Sequence, residues 1–420
     1  MEAFKIEQLE LLILVGAMVA IITRRLKIPY TTGLVVAGLL IAFFHVGVSI
    51  PLNKELMFDV LLPPLIFEAA LYIQWKELRR DLLVIMTYAV LGVALSGGVC
   101  AVFMHYFAGW TWLEAMLFGA LIAATDPVSI IATFKEAKVK GRLRLLVESE
   151  SLFNDSTAAV AFFLVLSFAF GEPLGFGSVI WRLVLSSFGG ILTGVLMGGI
   201  VLLVIGRTRD HLVELSLTTL AAFGSFWLAE HLQMSGILAT TAAGLMIGNM
   251  TAFGPISEKG EKSIEHFWEF AAFVVNSLIF IILGINAAYQ DFARAFAAIL
   301  IAIAAVIVGR AVAVYPCSAI FAVTTRRIDV KLQHVLFWGG LRGALALALA
   351  LGIPDTLPYR SEILTVTFGV VAFSVFVQGL TMPPLLRWLG FVPGPNGANV
   401  SRELHQKDKK GEKGYVGGST

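Results

Sequence analysis

The chain has 420 residues, of which 58% are hydrophobic and 14% are charged, with a mean hydropathy of +0.84. Soluble domains carry about 25% charged residues, so this composition excludes an ordinary soluble globule and points to a membrane protein. A net charge of +2 is too small to draw in nucleic acid, and the two cysteines, Cys100 and Cys317, lie in apolar runs and read as small buried residues.

Thirteen apolar segments follow one another, at roughly 8–23, 30–47, 57–73, 82–106, 113–134, 145–169, 181–205, 211–231, 234–250, 265–287, 292–316, 333–352 and 361–386. Runs near 20 residues favour membrane helices over barrel strands, which would be short and alternating. The first run follows an acidic start and ends in Arg24-Arg25, the reverse of a signal peptide. Gly190, Gly194 and Gly198 in the seventh segment read as a close helix-packing face. The very short link at Gln233 makes the eighth and ninth segments antiparallel neighbours. From Gly394 onward the chain is polar and glycine-rich, without apolar periodicity. The expected division is therefore a transmembrane domain over 1–392 and a disordered cytosolic tail over 393–420.

Orientation follows from lysine and arginine. With the N-terminus outside, 24 of the 31 basic residues fall on the inner side, five fall outside, and two, Arg310 and Arg342, lie within segments. The bias supports thirteen transmembrane helices, N-out and C-in.

The chemistry concentrates in two stretches. The fifth segment carries Thr125-Asp126-Pro127 in its interior. Proline removes a backbone donor and clashes with the preceding turn, so a break is predicted here. Broken helices are tolerated in a membrane only where they line a cavity or are packed by protein. The freed carbonyls near Ala124 and Thr125 then become candidate cation ligands. The sixth segment carries Glu150-Ser151-Leu152-Phe153-Asn154-Asp155, with Ser151 and Asp155 four residues apart on one helix face. At a rise of about 1.5 Å per residue, Asp126 lies about 12 Å and Asp155 about 15 Å from the inner ends of their segments. The two carboxylates are thus predicted to meet near mid-membrane. An intramembrane acid is costly and marks a functional site, and oxygen ligands without His or Cys suit an alkali cation or a proton. The sequon Asn154-Asp155-Ser156 lies too deep for glycosylation. Glu148 reads as a rim residue or as a solvated charge near Arg144.

Arg310 sits in apolar company and needs a carboxylate partner; Glu150 is the predicted one, with snorkelling or a backbone carbonyl as the alternative. In the twelfth segment three glycines surround Arg342 and predict a second break. Arg342 either offsets the negative helix ends or pairs with Glu68 or a backbone carbonyl. Glu68 lies near the inner end of the third segment and reads as a gate, as a partner for Arg342, or as a rim glutamate.

These stretches resemble the monovalent cation/proton antiporters, specifically the NhaP-type sodium/proton antiporters related to the animal sodium/proton exchangers. The resemblance is carried by six ordered motifs: Leu62-Pro63-Pro64-Leu65-Ile66-Phe67-Glu68; Ala124-Thr125-Asp126-Pro127-Val128; Glu150 to Asp155; Phe267-Trp268-Glu269-Phe270 leading to Asn276-Ser277-Leu278; Gly340-Leu341-Arg342-Gly343-Ala344; and Phe373 to Thr381. It implies an all-α polytopic fold of 13 transmembrane helices with inverted repeats, two discontinuous crossed helices, a core bundle, a dimerisation bundle and a homodimer. It also implies ion ligation by Asp126, Asp155, Ser151 and the carbonyl of Thr125, with Glu150 close by. Arg310 and Arg342 match the family's structural arginines. Asn154 matches the asparagine of electroneutral members.

The expected function is exchange of Na+ or Li+ for H+ by alternating access, with Asp155 as carrier of both cargoes and no resident cofactor. The alternatives are a K+/H+ antiporter of the same fold, an intramembrane aspartyl protease and a cation channel. Neither aspartate lies in the protease motif Gly-x-Gly-Asp, and channels prefer rings of carbonyls or like charges. The expected setting is a prokaryotic plasma membrane, with lipid as the surrounding partner.

Overall fold

The computed structural model describes residues 6–26, 28–45, 55–126, 134, 141–171, 176–250, 256–357 and 359–391. Among them the regular structure is entirely helical. The helices run α1 Ile6–Leu26, α2 Tyr30–Phe43, α3 Leu56–Leu61 continued by Leu62–Leu71, α4 Trp75–Ala108, α5 Trp112–Ala123, α6 Arg142–Ala169 and α7 Phe176–Ile205. Then come α8 His211–His231, α9 Gly236–Met250, α10 Glu258–Ala287, α11 Phe296–Ile320, α12 Val330–Trp338, α13 Ala344–Leu351 and α14 Arg360–Trp388. Seven of these are long and apolar enough to cross a membrane, while α2, α5 and α9 are apolar but shorter.

Every apolar segment read from the sequence contains at least one helix, but the helices overrun the segments. α4 starts at Trp75 and α10 at Glu258, through charged turns that a hydropathy reading leaves out. Hydropathy marks the stretch that suits lipid, whereas the backbone continues its hydrogen-bond ladder for as long as caps allow. Ser257 caps α10 by accepting from the Gly260 N–H at 3.0 Å, and Thr111 and Glu114 form a reciprocal capping box at the start of α5.

Most of the buried apolar residues form one large cluster that includes α2, α4, α5, α6, α11 and α13. A smaller cluster gathers Val201, Leu202 and Ile205 of α7, Ala221 and Ala222 of α8, Ala243 and Ile247 of α9, Trp268 of α10 and Phe67 of α3. At Gly194 an added Cβ would lie 2.0 Å from the Ala239 carbonyl oxygen, so the seventh segment's glycine face seats α7 against α9 backbone to backbone. Gln233, at φ 58°, turns the chain tightly between α8 and α9.

Polar ties join the helix ends that face the basic loops. The Arg142 guanidinium donates to both carboxylate oxygens of Asp81, at 3.1 and 2.7 Å, and to the carbonyls of Arg326 and Arg327. One side chain thereby fastens the starts of α4 and α6 to the turn after α11. Glu148 pairs with Arg144 at 2.6 Å, the second of its two expected readings.

Candidate functional site

The site forms where two helices stop short. α5 ends at Ala123, and Ala124–Asp126 leave the helix. The predicted break is present on its first side; Pro127 and the remainder of the segment lie outside the described residues, apart from Phe134. The twelfth segment divides into α12 and α13, with Gly339–Gly343 non-helical between them. The two interruptions touch. The Asp126 backbone N–H donates to the Leu341 carbonyl at 2.8 Å. A Cβ at Gly343 would sit 2.0 Å from Asp126 Oδ2, and one at Gly340 would sit 2.5 Å from Arg310 Nε. These glycines therefore do more than weaken a helix: they make the space in which Asp126 and Arg310 lie.

α6 supplies the facing residues. The freed N–H of Thr125 points at both Asn154 Oδ1 and Asp155 Oδ1, each at 3.2 Å. The Thr125 hydroxyl meets Ser151 Oγ at 3.0 Å and accepts from Asn154 Nδ2 at 2.7 Å. Asn154 Nδ2 also donates to Glu150 Oε1 at 3.3 Å. The broken end of α5 is thus held by three successive polar positions of α6, because residues 151, 154 and 155 share one side of a 3.6-residue helix. Thr125, Ser151 and Asn154 are buried.

Glu150 and Arg310 form a bidentate pair, Nη1 to Oε1 at 2.6 Å and Nη2 to Oε2 at 2.7 Å, in an almost fully buried setting. Arg310 further donates through Nε and Nη2 to the Leu336 carbonyl, at 3.1 and 2.8 Å. Leu336 lies in the last turn of α12, where carbonyls lack intrahelical partners. Arg310 therefore ties α6 to the first half of the broken segment, and the carboxylate and the backbone carbonyl, set against each other as alternatives in the sequence reading, are both its partners.

Arg342 is 1% exposed. Its side chain donates from Nη1 to the Gly340 carbonyl at 3.0 Å, the carbonyl alternative rather than an ion pair with Glu68, and its Nε and Nη2 have no hydrogen-bond partner among the described residues. Its backbone N–H donates to Ser374 Oγ at 2.8 Å, and the Ser374 hydroxyl donates to Gln378 Oε1. Ser374–Gln378 is a single π-helical turn within α14. Such turns insert an extra residue and re-aim side chains, frequently at functional sites. Ser374 and Gln378 entered the sequence reading only as letters of a motif. Two polar residues four apart in an apolar run were the signal that marks them.

A cavity of about 80 Å³ adjoins this contact between the two interruptions. Asp126, Asp155, Thr125, Glu68 and Asn276 are its polar lining, and Leu62, Leu65, Ile66 and Leu152 are among its apolar lining. Glu68 reaches it from α3 and Asn276 from α10. Asp126 and Asp155 therefore face a common space, and Glu68 joins them there. Arg310 and Glu150 do not line it; they brace the elements that do.

Asp126, Asp155, Glu68 and the Thr125 turn line a small chamber among apolar helices, a set of oxygen groups whose chemistry suits a small cation. The comparisons agree. The model of the family "sodium/hydrogen exchanger, transmembrane" matches residues 11–388, and the chain belongs to that family. It is 39% identical over 374 residues to the Na(+)/H(+) antiporter ApNhaP of Aphanothece halophytica, covering 87% of this chain and 70% of that one. It is also 36% identical over 404 residues to the low-affinity Na(+)/H(+) antiporter NhaS1 of a Synechocystis strain, covering 93% of this chain and 76% of the relative. The structure of the sodium proton antiporter MjNhaP1 from Methanocaldococcus jannaschii superimposes with a TM-score of 0.75 at 20% identity, over 92% of this chain and 98% of that one. The protein is a membrane protein of a transporter family and not an enzyme.

Proposed function

We propose that the protein exchanges Na+ or Li+ for H+ across the membrane, with both cargoes taking turns on Asp155. The observation that carries this reading is the cavity shared by Asp126 and Asp155 at the broken end of α5. Half-buried carboxylates with hydroxyl neighbours hold either a proton or a dehydrated alkali ion, and occupation by one excludes the other. Asp126 shares the ion, while Ser151 and the Thr125 carbonyl replace lost water. Asn154 matches the asparagine of electroneutral members, and this reading takes the exchange as electroneutral. The Glu150–Arg310 pair keeps α6 and α11 together while access alternates between the two sides.

The same reading takes thirteen spans with the N-terminus out and the C-terminus in, as the lysine and arginine bias supports. Residues 1–392 form core and dimerisation bundles with inverted repeats and two crossed helices, and 393–420 form a cytosolic tail. The working unit is a homodimer in the plasma membrane, and no resident cofactor takes part.

The test is dequenching of a pH-sensitive dye in proteoliposomes on addition of LiCl, NaCl or KCl. Wild type is expected to respond to Li+ and Na+, and Asp155→Asn is expected to give no response. Exchange retained in Asp155→Asn refutes the carrier assignment. A response to K+ alone assigns the protein as a K+/H+ antiporter.

A further inference from the structure

The cavity has one polar wall that the exchange scheme leaves unused. Asn276 of α10 is 9% exposed and lines the cavity with Asp126 and Asp155, and its Oδ1 has no hydrogen-bond partner among the described residues. A buried amide oxygen left without a donor costs about 1–3 kcal/mol, so its position calls for a compensating ligand. Its depth also fits. Asn276 lies about 17 Å from the inner end of the tenth segment, at 1.5 Å per residue, close to the depth of Asp155.

The surroundings hold the residue in place. The next residue, Ser277, bonds the Tyr30 hydroxyl at 2.6 Å and its own Phe273 carbonyl. Tyr30 stacks on Phe273 with centroids 5.4 Å apart. At Gly38 of α2 an added Cβ would meet the Ile281 carbonyl oxygen at 2.1 Å, so α10 lies backbone to backbone against α2 just beyond Asn276. α10 therefore presents the amide from a fixed face. The two aspartates hang from the interrupted α5 and from α6, and the amide approaches them from a third element.

We infer that the Asn276 side-chain oxygen is a neutral ligand for the transported alkali cation and a determinant of its selectivity. A neutral carbonyl adds coordination without adding a titratable charge. It strengthens cation binding while leaving the proton count to the carboxylates. It also sets the width of the site from the α10 side, which bears on Li+, Na+ and K+ differently because their oxygen distances differ. The inference rests on the cation/proton exchange proposed above.

The experiment compares wild type with Asn276→Leu, which keeps the approximate shape and removes the oxygen, and with Asn276→Asp, which restores an oxygen. Dequenching in proteoliposomes gives the apparent KM for LiCl, NaCl and KCl and the pH profile at saturating cation. Leucine is expected to raise the KM for Na+ by on the order of tenfold and to change the Li+/Na+ ratio, with the pH profile unmoved. Aspartate is expected to bring the Na+ KM back toward wild type or below it. Isothermal titration of the purified variants with LiCl reads binding without transport and is expected to show the same order. Unchanged KM values and unchanged LiCl binding in Asn276→Leu overturn the inference. An equal fall of rate for all three cations with KM unchanged also overturns it, by assigning Asn276 to packing. Should the leucine variant not assemble, Asn276→Ala, which also removes the oxygen, takes its place, and an alanine variant with wild-type selectivity and affinity is likewise decisive against it. Absence of exchange in wild type would instead defeat the transport reading itself.

Discussion

The Glu150–Arg310 pair gives the sharpest energetic test. Arg310 makes four hydrogen bonds, two to the carboxylate at 2.6 and 2.7 Å and two to the Leu336 carbonyl at 3.1 and 2.8 Å. The side chains are 8% and 4% exposed, so water does not replace a lost partner. Glu150→Gln leaves a full cation facing a neutral amide, and breaking a buried pair in this way costs roughly 3–5 kcal/mol. Exchanging both residues for apolar ones of similar volume, as in Glu150→Leu with Arg310→Met, removes the stranded charge. It leaves the Leu336 carbonyl unpaired, at about 1–3 kcal/mol, and takes from Asn154 Nδ2 the longer of its two contacts, against a comparable gain from avoided desolvation. The double variant is therefore expected to be more stable than Glu150→Gln alone, with a coupling energy of roughly 3 kcal/mol between the sites. Thermal melting in detergent followed by intrinsic fluorescence reads this directly. The single variant is expected to fall by roughly 5–10 °C and the double by much less. Equal melting of Glu150→Gln and wild type, or a double variant that loses the sum of the two singles, refutes the reasoning.

Gly343→Ala is expected to abolish exchange while the protein still reaches the membrane, because the new methyl group would stand 2.0 Å from Asp126 Oδ2; transport and expression measured side by side check it. Asn154→Asp adds a second acid next to the carrier and is expected to make exchange generate a membrane potential, seen as a valinomycin-sensitive rate absent from wild type. Gly194→Leu must push α7 off the Ala239 carbonyl and is expected to destabilise by more than the roughly 1–3 kcal/mol of ordinary overpacking, read as a lower melting temperature.

Much of this architecture was legible in the sequence because the membrane imposes a single solution on long apolar runs. The break at Asp126 was announced by Pro127, and the break at Arg342 by its three neighbouring glycines. The partnership of Glu150 with Arg310 followed from the cost of a lone buried charge. The Leu336 and Leu341 carbonyls were not legible, since every residue owns a carbonyl and only the end of a helix makes one available. The role of Asn276 escaped for a related reason. An uncharged amide in an apolar helix carries little cost that a sequence can display, and only the cavity shows which face it occupies. The true lengths of α4 and α10 escaped too, because their first turns are held by polar contacts, the Trp75 N–H on Asn249 Oδ1 and the Ser257 cap, rather than by hydropathy.

The meeting of the two interrupted helices is fastened by a peptide N–H and a peptide carbonyl, Asp126 to Leu341. That link belongs to the main chain and outlives replacement of either side chain, short of proline at 126. Asp126→Asn is therefore expected to retain the joint while altering what it can hold. At this point scaffold and chemistry are separately adjustable, and a lineage or an engineer can retune the cargo without rebuilding the frame.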